Sequence, residues 1–180
     1  EDAALRYRDQ LGVDVYLGDA RFTGSDAVEV DGQVLHFARA VIASGGRPVA
    51  PEIPGLAEVE YLTNETVFNL SERPARFGVI GSGPIGCELA QAFRRLGSQV
   101  LVFERGPQIL PREDADAAEI VQRRLLEEGV ELVLGCAFER VDARAAQQLV
   151  KIRDAAGMQR ELAVDQLLVA AGRAPNVLGM

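Results

Sequence analysis

The sequence has no tryptophan, a single histidine and only two cysteines in 180 residues. Cys87 and Cys136 are far apart, so the chain spells neither a CxxC or CxxxxC redox pair nor a cysteine-rich zinc site, and such sparse cysteine fits a reducing, cytoplasmic compartment. No apolar run approaches the roughly 20 residues that a membrane-spanning helix needs. The start, Glu1-Asp2, is charged and lacks Met, so it does not read as a signal peptide and the chain reads as an excised piece. There is no basic stripe either. The 19 Lys and Arg are scattered, never more than two together, against 27 Asp and Glu, for a formal charge of -8, and nucleic acid is not an expected partner. What remains is ordinary soluble composition, 48% hydrophobic and 26% charged, enough for one sizeable core or two small ones.

Two βαβ signals occupy the middle of the chain. Phe77-Gly78-Val79-Ile80 is a short apolar run that breaks into Gly81-Ser82-Gly83-Pro84-Ile85-Gly86, which predicts a strand, a tight turn and a helix. From Ile85, Leu89, Ala92, Phe93 and Leu96 recur at helical spacing as one expected buried stripe, and Gly97 ends it. Val100 to Phe103 predicts a parallel strand covered on both faces, ending at Glu104. A second helix is expected with a stripe of Ala117, Ile120, Val121 and Leu125, capped by Asp114 or Asp116 and ended by Gly129; the strand Val130 to Leu134 completes a βαβαβ unit. Helical periodicity then vanishes. Phe138 to Val141, Gln148 to Ile152 and Gln159 to Val164 predict a small antiparallel meander, and Leu167 to Ala170 a last strand running into Ala171-Gly172-Arg173-Ala174-Pro175-Asn176.

An internal repeat organises the whole. Gly12-Val13-Asp14-Val15-Tyr16-Leu17-Gly18 reads like Gly129-Val130-Glu131-Leu132-Val133-Leu134-Gly135. Each is followed by a strand bearing Phe22 or Phe138, a meander, and an apolar strand ending in a small-residue turn, Ala43-Ser44-Gly45-Gly46-Arg47-Pro48 in the first case. Residues 1–48 therefore resemble the second half of the unit that 76–175 contains whole. Residues 49–75, with Pro51, Pro54 and Pro74, read as a crossing segment between them.

The triplet Gly81-x-Gly83-x-x-Gly86 has a job at each place: a tight turn, close approach of a pyrophosphate to the backbone, and close helix-strand packing. The helix start, with Ser82, Pro84 and Ile85 in the same loop, offers free N–H groups to phosphate. Because the triplet follows a strand, opens a helix and has an acidic residue ending the next strand, dinucleotide binding is expected rather than a merely structural turn. A carboxylate at Glu104 accepts from a ribose 2′-hydroxyl and repels a 2′-phosphate, which favours NAD; Arg105 beside it is the residue through which NADP remains open. Arg112 reads as solvated charge. Ser44, Gly45 and Gly172 stand at matching strand ends where open α/β sheets receive ligands, although a sharp turn explains them locally. Glu88 points from the first helical turn near the nucleotide, and its placement also suits the helix dipole. His36 reads as structural, and Cys87 and Cys136 as small apolar packing groups.

These residues together resemble the pyridine nucleotide-disulfide oxidoreductases, the flavoenzyme family of glutathione reductase, dihydrolipoamide dehydrogenase and mercuric reductase. The carriers are Gly81-x-Gly83-x-x-Gly86-x-Glu88, the turn 43–48 with Ile53-Pro54-Gly55, and Ala171-Gly172-Arg173-x-Pro175-Asn176, while Leu110-Pro111-Arg112-Glu113-Asp114 looks most like the mercuric-reductase-like members. The resemblance implies an α/β fold: a Rossmann-like βαβαβ unit with an antiparallel meander at 76–175 as a complete NAD(P) domain, a partial FAD domain at 1–48, and a return toward it at 176–180. It implies that hydride passes from NAD(P)H through FAD to a disulfide or metal-ion substrate, with Gly81, Gly83 and Gly86 at the pyrophosphate, Glu104 at the ribose, and Glu88 near flavin and nicotinamide, where the family pairs it with a lysine from a segment this chain lacks. The FAD-binding Gly-rich turn, the CxxxxC disulfide and the His-Glu pair with its dimerisation domain are missing too. The chain by itself is expected to bind NAD(H) without catalysing, from a parent expected to be a homodimer. Two rivals are a flavin NADH oxidase or ferredoxin-reductase relative without the disulfide, and a non-catalytic NAD-sensing module, the latter opposed by the fragmentary first repeat.

Overall fold

In the computed structural model, which describes residues 2–178, the chain falls into two units, Glu1–Gly45 with Pro175–Met180, and Gly46–Ala174. The first unit opens with a helix, α1 (Asp2–Leu11), which sequence periodicity did not announce because it carries no core-facing stripe: Leu5, Tyr7 and Leu11 are all exposed. Three short strands follow, β1 (Ala20–Phe22), β2 (Ala27–Val30) and β3 (Gln33–His36), paired antiparallel in the order β1-β2-β3. Phe22 meets Phe37 edge to face with ring centroids 5.9 Å apart. The two strands expected beside this meander, near 13–17 and 41–43, are not strands. A strand exists only by pairing, and no neighbouring backbone is available to them among the described residues of this unit; Leu17 and Val41 are 79% and 93% exposed.

The second unit begins with β4 (Gly46–Pro48). Residues 49–75, expected as a crossing segment, pack onto this unit through two 3₁₀ turns, Leu56–Glu58 and Val67–Asn69. Ile53, Leu56 and Val67 are buried, and Leu62 exchanges backbone hydrogen bonds with Leu167 and Val169 over 2.7 and 2.8 Å. Then come β5 (Arg76–Ile80), α2 (Pro84–Arg95), β6 (Gln99–Phe103), α3 (Ala115–Glu127) and β7 (Glu131–Val133). With β11 (Gln166–Val169) the strands form a four-stranded parallel sheet in the order β11-β5-β6-β7. Between β7 and β11 lie β8 (Ala137–Arg144), β9 (Gln147–Arg153) and β10 (Gln159–Val164), an antiparallel meander as expected.

The near-continuous apolar runs of β5 and β6 are explained by what covers them. Phe77, Val79, Val100 and Val102 point into one core with Cys87, Leu89 and Leu125 of the helices. Ile80, Leu101 and Phe103 point to the other face, into a core with Val141, Val150 and Ile152 of the meander. Alternate residues of a strand face opposite ways, so only a strand apolar at both parities fits between two cores. The helices turn differently from expectation. α2 buries Gly86, Cys87, Leu89 and Ala90, with Phe93 stacked on Phe77 at 4.2 Å, while Ala92 and Leu96 are exposed. α3 buries Ala118 and Leu125, and Ala117, Ile120 and Val121 face outward. A one-residue rotation of the stripe follows from where each helix lands on the sheet, which periodicity alone does not contain.

Both helices end on a left-handed glycine. Gly97 N–H donates to Arg94 and Ser98 N–H to Phe93; Gly129 N–H donates to Leu126 and Val130 N–H to Leu125. At the start of α3, Asp114 occupies the cap position but its side chain makes no cap bond, and Asp116 accepts from Ala117 N–H at 2.9 Å instead. The closing strand β12 (Arg173–Pro175) pairs with β4 as a two-stranded ribbon. The small-residue turns at 43–48 and 171–176, each read from sequence as a separate bend, thus supply the two strands of one structure. Among the described residues no helix is long and apolar enough to cross a membrane.

Candidate functional site

At the carboxyl ends of β5 and β6 the chain turns sharply and exposes a helix start. β5 sits between β11 and β6, and Gly81 N–H donates to Phe103 over 2.9 Å, so the turn leaves from the middle of the sheet. The three glycines differ in what surrounds them. A Cβ on Gly81 would lie 2.7 Å from the Ala170 carbonyl oxygen, and one on Gly86 would be driven into the Gly81 carbonyl oxygen, so both places demand glycine for internal packing. A Cβ on Gly83 would meet nothing within 4 Å, and its φ of -67° is open to any residue. No group of the protein excludes a side chain at Gly83, and the space in front of it is free for something from outside.

Gly83 is also the N-cap of α2, without a side-chain cap bond, and Pro84 is the first helical residue. The first-turn amides therefore have no side-chain acceptor at the cap, and they join the helix dipole in favouring an anion there. Ile85 is half-buried and Glu88 exposed on the same first turn. Glu88 lines a cleft of about 390 Å³ with Pro84, Cys87, Gln91, Leu110 and Val121. A larger depression, about 530 Å³ between Arg94, Arg95, Gly97, Arg124 and Glu128, lies at the opposite end of α2, and Arg95 and Arg124 there are held by Glu128.

Glu104 follows β6 directly, and its carboxylate reaches back to the turn. Oε2 accepts from Ser82 N–H at 3.1 Å and from the Ser82 hydroxyl at 2.6 Å; Oε1 accepts from Gly106 N–H at 2.9 Å. Burial pushes this carboxyl up, but the Ser82 hydroxyl and the N–H groups of Gly106, Ser82 and Arg105 more than reverse that, leaving it below its ordinary value and ionised near neutrality. Arg105 is exposed, with its guanidinium 5.7 Å from the Phe138 ring centroid. Sequence placed Ser82 in the fingerprint but gave no signal that it would hold Glu104, because the bond spans 22 positions and depends on the strand register.

The remaining expected residues separate. Gly172 lies just past β11, and a Cβ there would meet nothing within 4 Å. Ser44 and Gly45 belong to the first unit, where the Ser44 hydroxyl donates to the Asn176 carbonyl at 2.6 Å and Asn176 N–H to Gly45 at 3.0 Å. His36 is an exposed strand end 4.0 Å from Asp26. Cys87 and Cys136 are both buried; burial pushes the Cys87 thiol up to about 11 and raises Cys136 as well, so neither is primed as a nucleophile. Among the described residues no group of three or more His, Cys, Asp or Glu is placed to hold a metal ion.

The class defined by this geometry is a Rossmann-like α/β unit with an antiparallel meander packed on one sheet face. The family model for the pyridine nucleotide-disulphide oxidoreductases matches residues 2–180, and the chain belongs to that family. Mercuric reductase of Lysinibacillus sphaericus is 40% identical over 168 residues, 93% of this chain and 31% of the relative. Glutathione reductase of Nostoc sp. is 34% identical over 180 residues, 98% of this chain and 38% of the relative. The solved structure of the HOCl-induced flavoprotein disulfide reductase RclA from Escherichia coli matches with a TM-score of 0.81 at 32% identity, covering 98% of this chain and 40% of that one. The chain thus spans about a third of the length of the curated relatives it matches.

Proposed function

We propose that residues 76–175 are the nicotinamide-dinucleotide domain of a FAD-dependent pyridine nucleotide-disulfide oxidoreductase and that 1–48 belong to its flavin domain. The observation that carries this reading is the unfilled space at Gly83 beside the ionised Glu104 carboxylate. Gly83 lets a pyrophosphate reach the α2 amides, and Glu104 stands one strand over, where the adenosine ribose hydroxyls of such a ligand fall. NAD(H) is favoured, because a second negative charge on the ribose meets a fixed carboxylate, while Arg105 is engaged with Phe138. Glu88, exposed in the first turn of α2, is by the same family resemblance the residue expected near flavin and nicotinamide.

When bound, the nicotinamide supplies a hydride that the flavin of the parent enzyme relays to a disulfide or metal-ion acceptor. The chain's own residues bind and orient: the 81–86 turn holds the phosphates, Glu104 the ribose, and the sheet fixes the distance between them. With no CxxxxC pair in its sequence, the isolated chain is expected to show no NADH-dependent turnover.

Calorimetric titration with NADH and with NADPH, repeated on Glu104→Ala, tests the reading. NADH is expected to bind tighter, and the substitution to erase the preference by removing a charged acceptor, a loss of about tenfold or more. Tighter NADPH binding would make Arg105 the reader, and no binding of either nucleotide would end the dinucleotide assignment.

A further inference from the structure

Ser82 is fully buried, yet every polar atom it has is engaged. Its N–H and hydroxyl both donate to Glu104 Oε2, at 3.1 and 2.6 Å; its carbonyl accepts from Leu110 N–H at 2.8 Å and from the Cys87 thiol at 3.2 Å. One residue of the phosphate turn thereby holds both ends of the loop from Glu104 to Leu110, and Leu110 is bent into a left-handed φ of 49° to reach it. Ser82 donates twice to Oε2 and the Gly106 N–H once to Oε1, and the Arg105 N–H also favours the charged form, so the carboxylate is fixed in place and kept ionised by its own surroundings.

We propose that Ser82 is a positioning residue for cofactor choice: it locks the Glu104 carboxylate in one position, where its fixed negative charge favours a ribose hydroxyl over a ribose phosphate. This rests on the dinucleotide reading above. Glu104 at the tip of β6 has rotamers that swing its charge away from a ligand, and the Ser82 hydroxyl removes them. The charged and titratable groups around Glu104 are the exposed Arg105 and the buried thiols of Cys87 and Cys136, and the thiols stay neutral throughout the acid range. An acid limb in NADH binding that disappears in Glu104→Ala therefore reports on Glu104.

The test is a cycle of wild type, Ser82→Ala, Glu104→Ala and the double variant, titrated with NADH and NADPH at neutral pH, with NADH affinity followed into acid. Ser82→Ala is expected to lower NADH affinity about fivefold or more, as loss of a hydrogen bond to a charged group does, and to narrow the NADH over NADPH preference. Its acid limb is expected to move to higher pH, because the carboxylate has lost its closest donor, and the substitution is expected to add nothing once Glu104 is Ala. An unchanged preference, an unmoved acid limb, or losses that add in the double variant would overturn the role of Ser82 while the wild-type preference left the dinucleotide reading standing. Wild type that binds neither nucleotide overturns both. If Ser82→Ala does not fold, Ser82→Cys, close in size with a weak donor, carries the same expectations.

Discussion

The Ser82 hydroxyl donates to the Glu104 carboxylate over 2.6 Å, joining the turn after β5 to the tip of β6. The turn that opens α2 and the carboxylate at the tip of β6 are thereby joined directly, across 22 positions of sequence. The same bond keeps Glu104 charged in a half-buried place where burial alone would favour protonation.

Two glycines of one turn have opposite predicted consequences. Gly86→Ala drives a Cβ into the Gly81 backbone and is expected to destabilise the fold by about 1–3 kcal/mol. Gly83→Ala has room and an unexceptional φ, so stability is expected to stay within about 0.5 kcal/mol of wild type while NADH affinity falls at least tenfold. Thermal melts and calorimetry on the two variants separate the cases, and a Gly83→Ala protein that binds NADH normally would contradict the role given to the open space.

Acid dependence of stability has three identifiable sources, one of them Asp142, which is held below its ordinary value by its hydrogen bonds with Lys151 and Arg140. Glu128 is pulled down to about 2, first by its hydrogen bonds with Arg95 and also by Arg124. Glu104 is lowered too. A carboxyl lowered in the fold contributes stability that is fully present above its unfolded value and is lost as pH falls through its folded one. Melting temperature is therefore expected to drop below about pH 4.5 in wild type, and Glu128→Gln and Glu104→Gln each to flatten part of that fall. A melting curve equally steep in both variants would show that other carboxylates carry it.

Neither cysteine is expected to react with a thiol reagent in the folded state. Burial raises both thiols, and the Cys87 thiol donates to Ser82. Titration with a disulfide reagent should count no accessible thiol in native protein and two after denaturation. Rapid native labelling of Cys87 would mean that the cleft beside α2 opens.

Exchange of backbone amides is expected to be uneven. The strands β5, β6 and β11 pair on parallel neighbours between two cores, whereas residues 13–19 and 38–45 of the first unit form no strand and expose Leu17, Val41 and Ile42. Slowest exchange belongs in β5 and β6 and fastest in those two segments. Equal protection would count against the first unit being the less stable.

The order of elements in the βαβαβ unit was legible, because strands buried on both faces must be continuously apolar and a Gly-rich turn marks where a strand gives way to a helix. The triplet 81–86, Glu104 at a strand tip, and the helix ends at Gly97 and Gly129 all follow from such local rules. Antiparallel meanders formed at both places where the repeat put them, β1 to β3 and β8 to β10. Its apolar edges, near 13–17 and 41–43, did not become strands, because an apolar run pairs only where another backbone lies beside it.

Local chemistry, then, was enough to determine the βαβαβ elements and the meander of the second unit, the double burial of its strands and the Gly-rich turn that opens a helix. Tertiary structure alone decided which stripe of α2 and α3 faces the sheet, that the turns at 43–48 and 171–176 contribute the strands of one ribbon, and that Ser82 closes on Glu104. Each of these depends on register between segments tens of residues apart, and register is an energetic outcome of packing rather than a property of any one stretch of chain.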